Sequence, residues 1–131
     1  MKASELRIGN FVEYNGMTLR VSEIYSPKPR QPKEFSDVEC VELHCDGFIA
    51  ATIHEINPIE LTEEILVKCG FKTTSWDNHS TFWNMFCSDG SMVISLEHKY
   101  IAVGDLTLDI EVKYLHQLQN LFYAITGKEL I

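Results

Sequence analysis

Apolar and polar positions change their period along this chain, and those changes mark out its elements. From Phe11 the period is two. Phe11-Val-Glu-Tyr14 and Met17-Thr-Leu-Arg-Val-Ser-Glu-Ile-Tyr25 flank Asn15-Gly16, the strongest short-range hairpin signal present. Met17, Leu19 and Val21 alternate with Thr18, Arg20 and Ser22, which predicts one buried face and one wet face. Val38 to Cys45 and Phe48 to Ile56 predict a second hairpin across Asp46-Gly47, again a turn that favours positive φ. Between the hairpins, Ser26 to Asp37 carries Pro27, Pro29 and Pro32. These fix φ and remove donors, so the segment is expected as an extended, exposed loop.

The period lengthens after residue 60. A short helix is expected over 61–71, with Thr62 as N-cap, Glu63 and Glu64 in the first turn, and Leu61 and Leu66 as a hydrophobic staple. Gly70 suits the C′ position, where Phe71 can pack back on Leu66. Lys72 to Ser80, carrying Trp76, is expected as a loop. Phe82 to Cys87, Met92 to Leu96, Tyr100 to Val103 and Leu106 to Ile110 predict an antiparallel meander turning at Asp89-Gly90 and Gly104-Asp105. Met92, Ile94 and Leu96, then Leu106, Leu108 and Ile110, predict its buried face. From Lys113 a helical stripe of Tyr114, Leu115, Leu118, Leu121, Phe122 and Ile125 leads to a stop at Gly127. The expected fold class is α+β: an SH3-like small β-barrel or bent antiparallel sheet, a short helix, and a β-meander covered by a C-terminal helix. Gly9 to Val21 resembles the opening hairpin of SH3-like barrels. The expected division is an SH3-like β subdomain over 1–60 and the helix, meander and C-terminal helix over 61–131, packed as one compact unit.

Composition narrows the function classes. The chain has 131 residues, 45% of them hydrophobic and 11% aromatic, enough apolar surface for a real core. Its formal net charge is −8, so the long-range field repels phosphate backbones and general nucleic-acid binding is not expected, which leaves a local contact through Lys28, Arg30 and Lys33 as a third option. Neither a signal peptide nor an apolar run of membrane-spanning length is visible. Cys40, Cys45, Cys69 and Cys87 lack a disulfide-scaffold spacing and are read as small buried hydrophobes in a cytoplasmic protein.

No catalytic, cofactor or metal site is expected. Cys40, His44, Cys45, Asp46 and His54 have no recognised ligand spacing and read as thiols and surface histidines on a hairpin. Cys87, with His98 or His116 as a partner base, has no local support and reads as core. The seven glycines form no phosphate loop, and nucleophile-elbow and H-E-x-x-H patterns are absent. Two surfaces remain for binding. One is the proline-rich loop with Lys28, Arg30, Lys33 and Phe35, which reads first as a solvated connection. The other is the side of the last helix opposite its stripe, where His116, Gln119, Asn120 and Tyr123 gather. Amide and tyrosine groups suit partner contacts because they bring area and hydrogen bonds with little charge to desolvate. Cover by another part of the chain explains them equally well.

Three strings, Leu6-Arg-Ile-Gly-Asn-Phe-Val, Ile56-Asn-Pro-Ile-Glu-Leu-Thr-Glu-Glu-Ile-Leu and Lys113 to Leu130, resemble a group of small proteins from Bacteroidetes genomes, phages and prophages. The resemblance implies a phage or prophage context and brings no activity, cofactor or site residue with it. The expected function is therefore a non-enzymatic, cytoplasmic binding protein, with a protein partner or its own copy favoured over a small molecule. The alternative is a small-molecule or nucleotide-handling protein with a site between the two subdomains, lined by Trp76, His79 and His98.

Overall fold

Asn15 and Gly16 both adopt positive φ, +49° and +78°, the pair of left-handed residues that a tight hairpin turn requires. They join β1 (Phe11–Tyr14) to β2 (Met17–Tyr25), with Tyr14 opposite Met17 and Phe11 opposite Arg20. The computed structural model describes residues 1–25, 39–76, 80–87, 90–97, 100–104, 106–108 and 110–131. The whole of the expected loop over 26–37, with its three prolines, Lys28, Arg30, Lys33 and Phe35, lies outside them, as does Val38. The described chain divides into two compact units, Met1–Ile59 and Glu60–Ile131.

In the first unit β2 pairs with β3 (Cys40–His44), and β3 pairs with β4 (Phe48–Thr52). The result is a four-stranded antiparallel sheet in the order β1-β2-β3-β4. Among the described residues β4 does not pair back to β1, so the four-strand ladder does not itself close; beyond β4, Asn57 and Glu13 of β1 exchange N–H···O bonds of 2.9 Å as an isolated bridge. Its register slips between Val21 and Glu23, a bulge that increases local twist. The second hairpin differs from expectation. Cys45, Asp46 and Gly47 form a longer loop in which neither Asp46 nor Gly47 takes positive φ, and the Cys45 N–H donates to the Gly47 carbonyl at 2.9 Å.

Alternation places Val12, Leu19, Val21, Val41, Leu43 and Ala51 on the core face, with Ala3, Leu6, Ile53 and Ile56 packed beside them. Met17, expected inside, is exposed because it stands at the turn end of β2, beyond the core. The N-terminal segment is tied on by Asn10. Its carboxamide oxygen accepts the Arg7 N–H at 2.7 Å, and its carbonyl accepts the Val21 N–H at 2.8 Å.

The second unit opens with α1 (Glu63–Lys68), capped by Thr62, whose hydroxyl accepts the Ile65 N–H at 3.3 Å. Its end is a complete Schellman closure: Phe71 N–H donates to the Leu66 carbonyl and Gly70 N–H to the Val67 carbonyl, with Gly70 at φ +94°. A five-stranded antiparallel sheet follows in sequence order: β5 (Lys72–Trp76), β6 (Ser80–Cys87), β7 (Gly90–Ser95), β8 (Tyr100–Val103) and β9 (Leu106–Leu108). β5 corrects the expected loop. Lys72-Thr-Thr-Ser-Trp lacks apolar alternation, but it pairs along its whole length with β6, and long-range pairing outweighs local pattern.

Met92 and Ile94 are buried as expected, while Leu106 and Ile110 are 65% and 49% exposed. For Leu106 the physical reason is position, since among the described residues β9 is a short edge strand paired only with β8, and Ile110 lies beyond its end. The last helix, α2 (Leu115–Thr126), ends at Gly127 with φ +70°, and the Gly127 N–H closes on the Tyr123 carbonyl at 2.8 Å. Among the described residues no helix is long and apolar enough to cross a membrane.

Candidate functional site

The outward face of the N-terminal sheet carries a row that no single stretch of sequence contains. Phe11 pairs with Arg20, Arg20 with His44, and His44 with Phe48, one residue from each of the four strands. At strand spacing the row spans about 14 Å. The Arg20 guanidinium carbon lies 4.8 Å from the Phe11 ring centroid, a cation–π contact. His44 meets the edge of Phe48 in a T-shaped pair with centroids 5.5 Å apart. Arg20, His44 and Phe48 are exposed, Phe48 by 66% of its surface. The opposite face of the same strands supplies the core, so burial of Val12, Leu19 and Leu43 is what turns these side chains outward.

The next outward row is acidic. Glu23 stands directly opposite Glu42, and Glu42 opposite Ala50. Like charges facing each other across an antiparallel pair destabilise a sheet. Tyr25 relieves part of that cost: its hydroxyl donates to Glu23 and to Glu42 Oε2, the latter at 3.2 Å. Ser22 Oγ adds bonds to the Glu42 carbonyl and to Glu42 Oε1 at 3.0 and 3.2 Å. Donation to the Glu23 carboxylate, together with desolvation and Glu42, pushes the Tyr25 phenol up to about 12.

The residues expected on the last helix do not share one environment. His116 and Gln119 are 2% and 0% exposed, Asn120 is half-buried, and Tyr123 is 42% exposed. At about 100° per residue the buried arc runs from Leu118 through Phe122, Leu115 and Gln119 to His116, roughly 160° wide. It is therefore turned toward the polar side of the stripe read from sequence. The His116 ring stacks on that of Tyr114 at 5.9 Å and 12°. His116 and Gln119 belong to the interior, and only Tyr123 offers substantial surface to a partner.

A cleft of about 320 Å³ in the C-terminal unit is lined by Glu60, Leu61, Leu96, Val112 and Lys113. Lys113 Nζ lies 3.8 Å from Glu60 Oε1, and the Lys113 carbonyl accepts the Leu61 N–H at 3.0 Å. The residues expected to line a small-molecule site are Trp76, His79 and His98. Trp76 lies in β5, and His79 and His98 fall outside the described residues. Among the described residues no group of three or more His, Cys, Asp and Glu side chains is arranged to hold a metal ion. Burial pushes the Cys69 thiol up to about 11, so it stays protonated and is a poor nucleophile near neutrality. Cys40 and Cys45 are half-buried thiols, and Cys87 closes β6.

No family model, curated protein or solved structure matches this chain. The class its architecture defines is a small α+β protein with two antiparallel sheets and a C-terminal helix.

Proposed function

We propose that this protein is a non-enzymatic binding protein that engages a protein partner through the outward face of its N-terminal sheet. One observation carries the reading: a cross-strand row, Phe11–Arg20–His44–Phe48, that leaves the large apolar ring of Phe48 mostly in water. Aromatic residues and arginine are the side chains that concentrate binding energy at protein interfaces. A cytoplasmic setting fits the thiols of the half-buried Cys45 and the buried Cys69, which are not in disulfides. Pull-down with the purified protein, paired with F48A, tests the proposal. A partner retained by the parent protein and lost by a folded F48A supports it, while equal retention by both places the contact elsewhere.

The C-terminal cleft supports a second reading, a small ligand with an apolar body and a charged group. Leu61, Leu96 and Val112 would hold the body, with Glu60 and Lys113 at hand for the charge. A thermal-shift screen over nucleotides and small amphiphiles tests it. A shift abolished by V112W favours this reading, and no shift with any compound ends it.

A further inference from the structure

Building on the proposed sheet-face interface, we infer that its partner is a basic polypeptide segment that seats an apolar side chain on Phe48 and directs Lys or Arg toward Glu23 and Glu42. Two carboxylates placed directly opposite each other on an exposed face oppose folding, and replacing either by a neutral residue would remove the repulsion. Tyr25 and Ser22 hold the pair in place without neutralising it. A surface that keeps such a pair beside a bare aromatic ring is built to receive positive charge next to an apolar anchor.

Register sets the spacing. Glu42 lies two residues from His44 along β3, and Ala50 lies two residues from Phe48 along β4, so the acidic and aromatic rows are neighbours about 7 Å apart. Ala50 leaves the position beside Glu42 low, because its side chain is a methyl group. An extended segment crossing both rows therefore meets a ring first and a carboxylate pair next.

The same charges weigh against the competing occupants. A second copy would bring Glu23 and Glu42 against another acidic face, and each chain carries a formal charge of −8. A nucleic-acid strand would find aromatic rings to stack on, but it would also set its phosphates beside carboxylates.

The test is titration of the labelled, folded protein with three probes, followed by amide chemical shifts. The probes are a short peptide alternating Lys and Phe through Gly spacers, its counterpart with Glu replacing Lys, and a short oligothymidylate. The Lys peptide is expected to shift Phe11, Arg20, His44, Phe48 and Glu42 amides and to weaken with added salt. F48A should lower its affinity roughly tenfold. E42Q should lower it about twofold to fivefold, the size of an exposed charge pair, while raising the Tm. That opposite movement of binding and stability is the signature a merely structural glutamate would not give. If the Glu peptide or the oligothymidylate binds the row as tightly as the Lys peptide, the basic-partner inference is overturned and the sheet-face interface stands. If no probe shifts the row, both are overturned.

Discussion

The guanidinium of Arg20 rests on the ring of Phe11, its direct cross-strand neighbour, with the carbon 4.8 Å from the ring centroid. The contact lies on the wet face of the sheet, opposite the Val12 and Leu19 pair that anchors the core. Replacing Arg20 by Ala removes both the cation and the covering methylenes. Stability to urea should fall by about 0.5–1 kcal/mol, the range for an exposed cation–π pair. A double-mutant cycle with F11A should recover most of that as coupling, and additive losses would deny the contact an energetic role.

Asn10 is fully buried, and its carboxamide oxygen receives the Arg7 N–H at 2.7 Å. Asn10→Ala strands that donor and leaves space in a packed region. The expected loss is about 1–3 kcal/mol by chemical denaturation. Hydrogen exchange should show the Arg7 amide losing protection in the variant before the amides of β3 do.

Cys69 gives a pH dependence with a definite sign. Burial raises its thiol from 9.0 to about 11 in the native state. Between those values the unfolded chain has released the proton and the native chain has kept it. The unfolded state then binds fewer protons, so stability falls as pH rises through this window and is unaffected by this group below it. Urea unfolding at several pH values from 8 upward should show a shallower decline for C69A than for the parent protein. Alkylation mapped by mass spectrometry at pH 8 should label Cys40 and Cys45 well before Cys69.

Gly127 ends α2 at φ +70°, and nothing lies within 4 Å of where a Cβ would stand. Gly127→Ala therefore tests backbone strain without a steric clash. It should cost about 1 kcal/mol, the penalty for an L-residue in the left-handed region. Gly127→Asn, whose side chain tolerates that region better, should cost less in the same unfolding experiment.

Elements whose cause is local were legible in the sequence. Asn15-Gly16 marked where β1 ends and β2 begins, because two adjacent left-handed positions permit little except a tight turn. Thr62, Gly70 and Gly127 marked their helix ends for the same reason, since each satisfies orphan backbone groups within a few residues. β5 was illegible because Thr73 and Thr74 have no partner in sequence and acquire one only when β6 arrives. The exposed edge at Leu106 was illegible for the converse reason: an apolar alternation states which residues share a face and says nothing about whether anything covers it.

The binding surface divides along the same line. Alternation in Met17 to Tyr25 already put Arg20 on the wet face of its strand, as a property of period and chirality within one segment. That Arg20 stands between Phe11 and His44, with Phe48 next and Glu23 facing Glu42, depends on the registers of three strand pairs and a bulge. The sequence alone determined hairpins, caps and the alternating faces, because those follow from forces acting over a few bonds. Tertiary structure decided which outward side chains became neighbours and that His116 and Gln119 went inside, because register and burial are settled by packing between segments far apart in the chain.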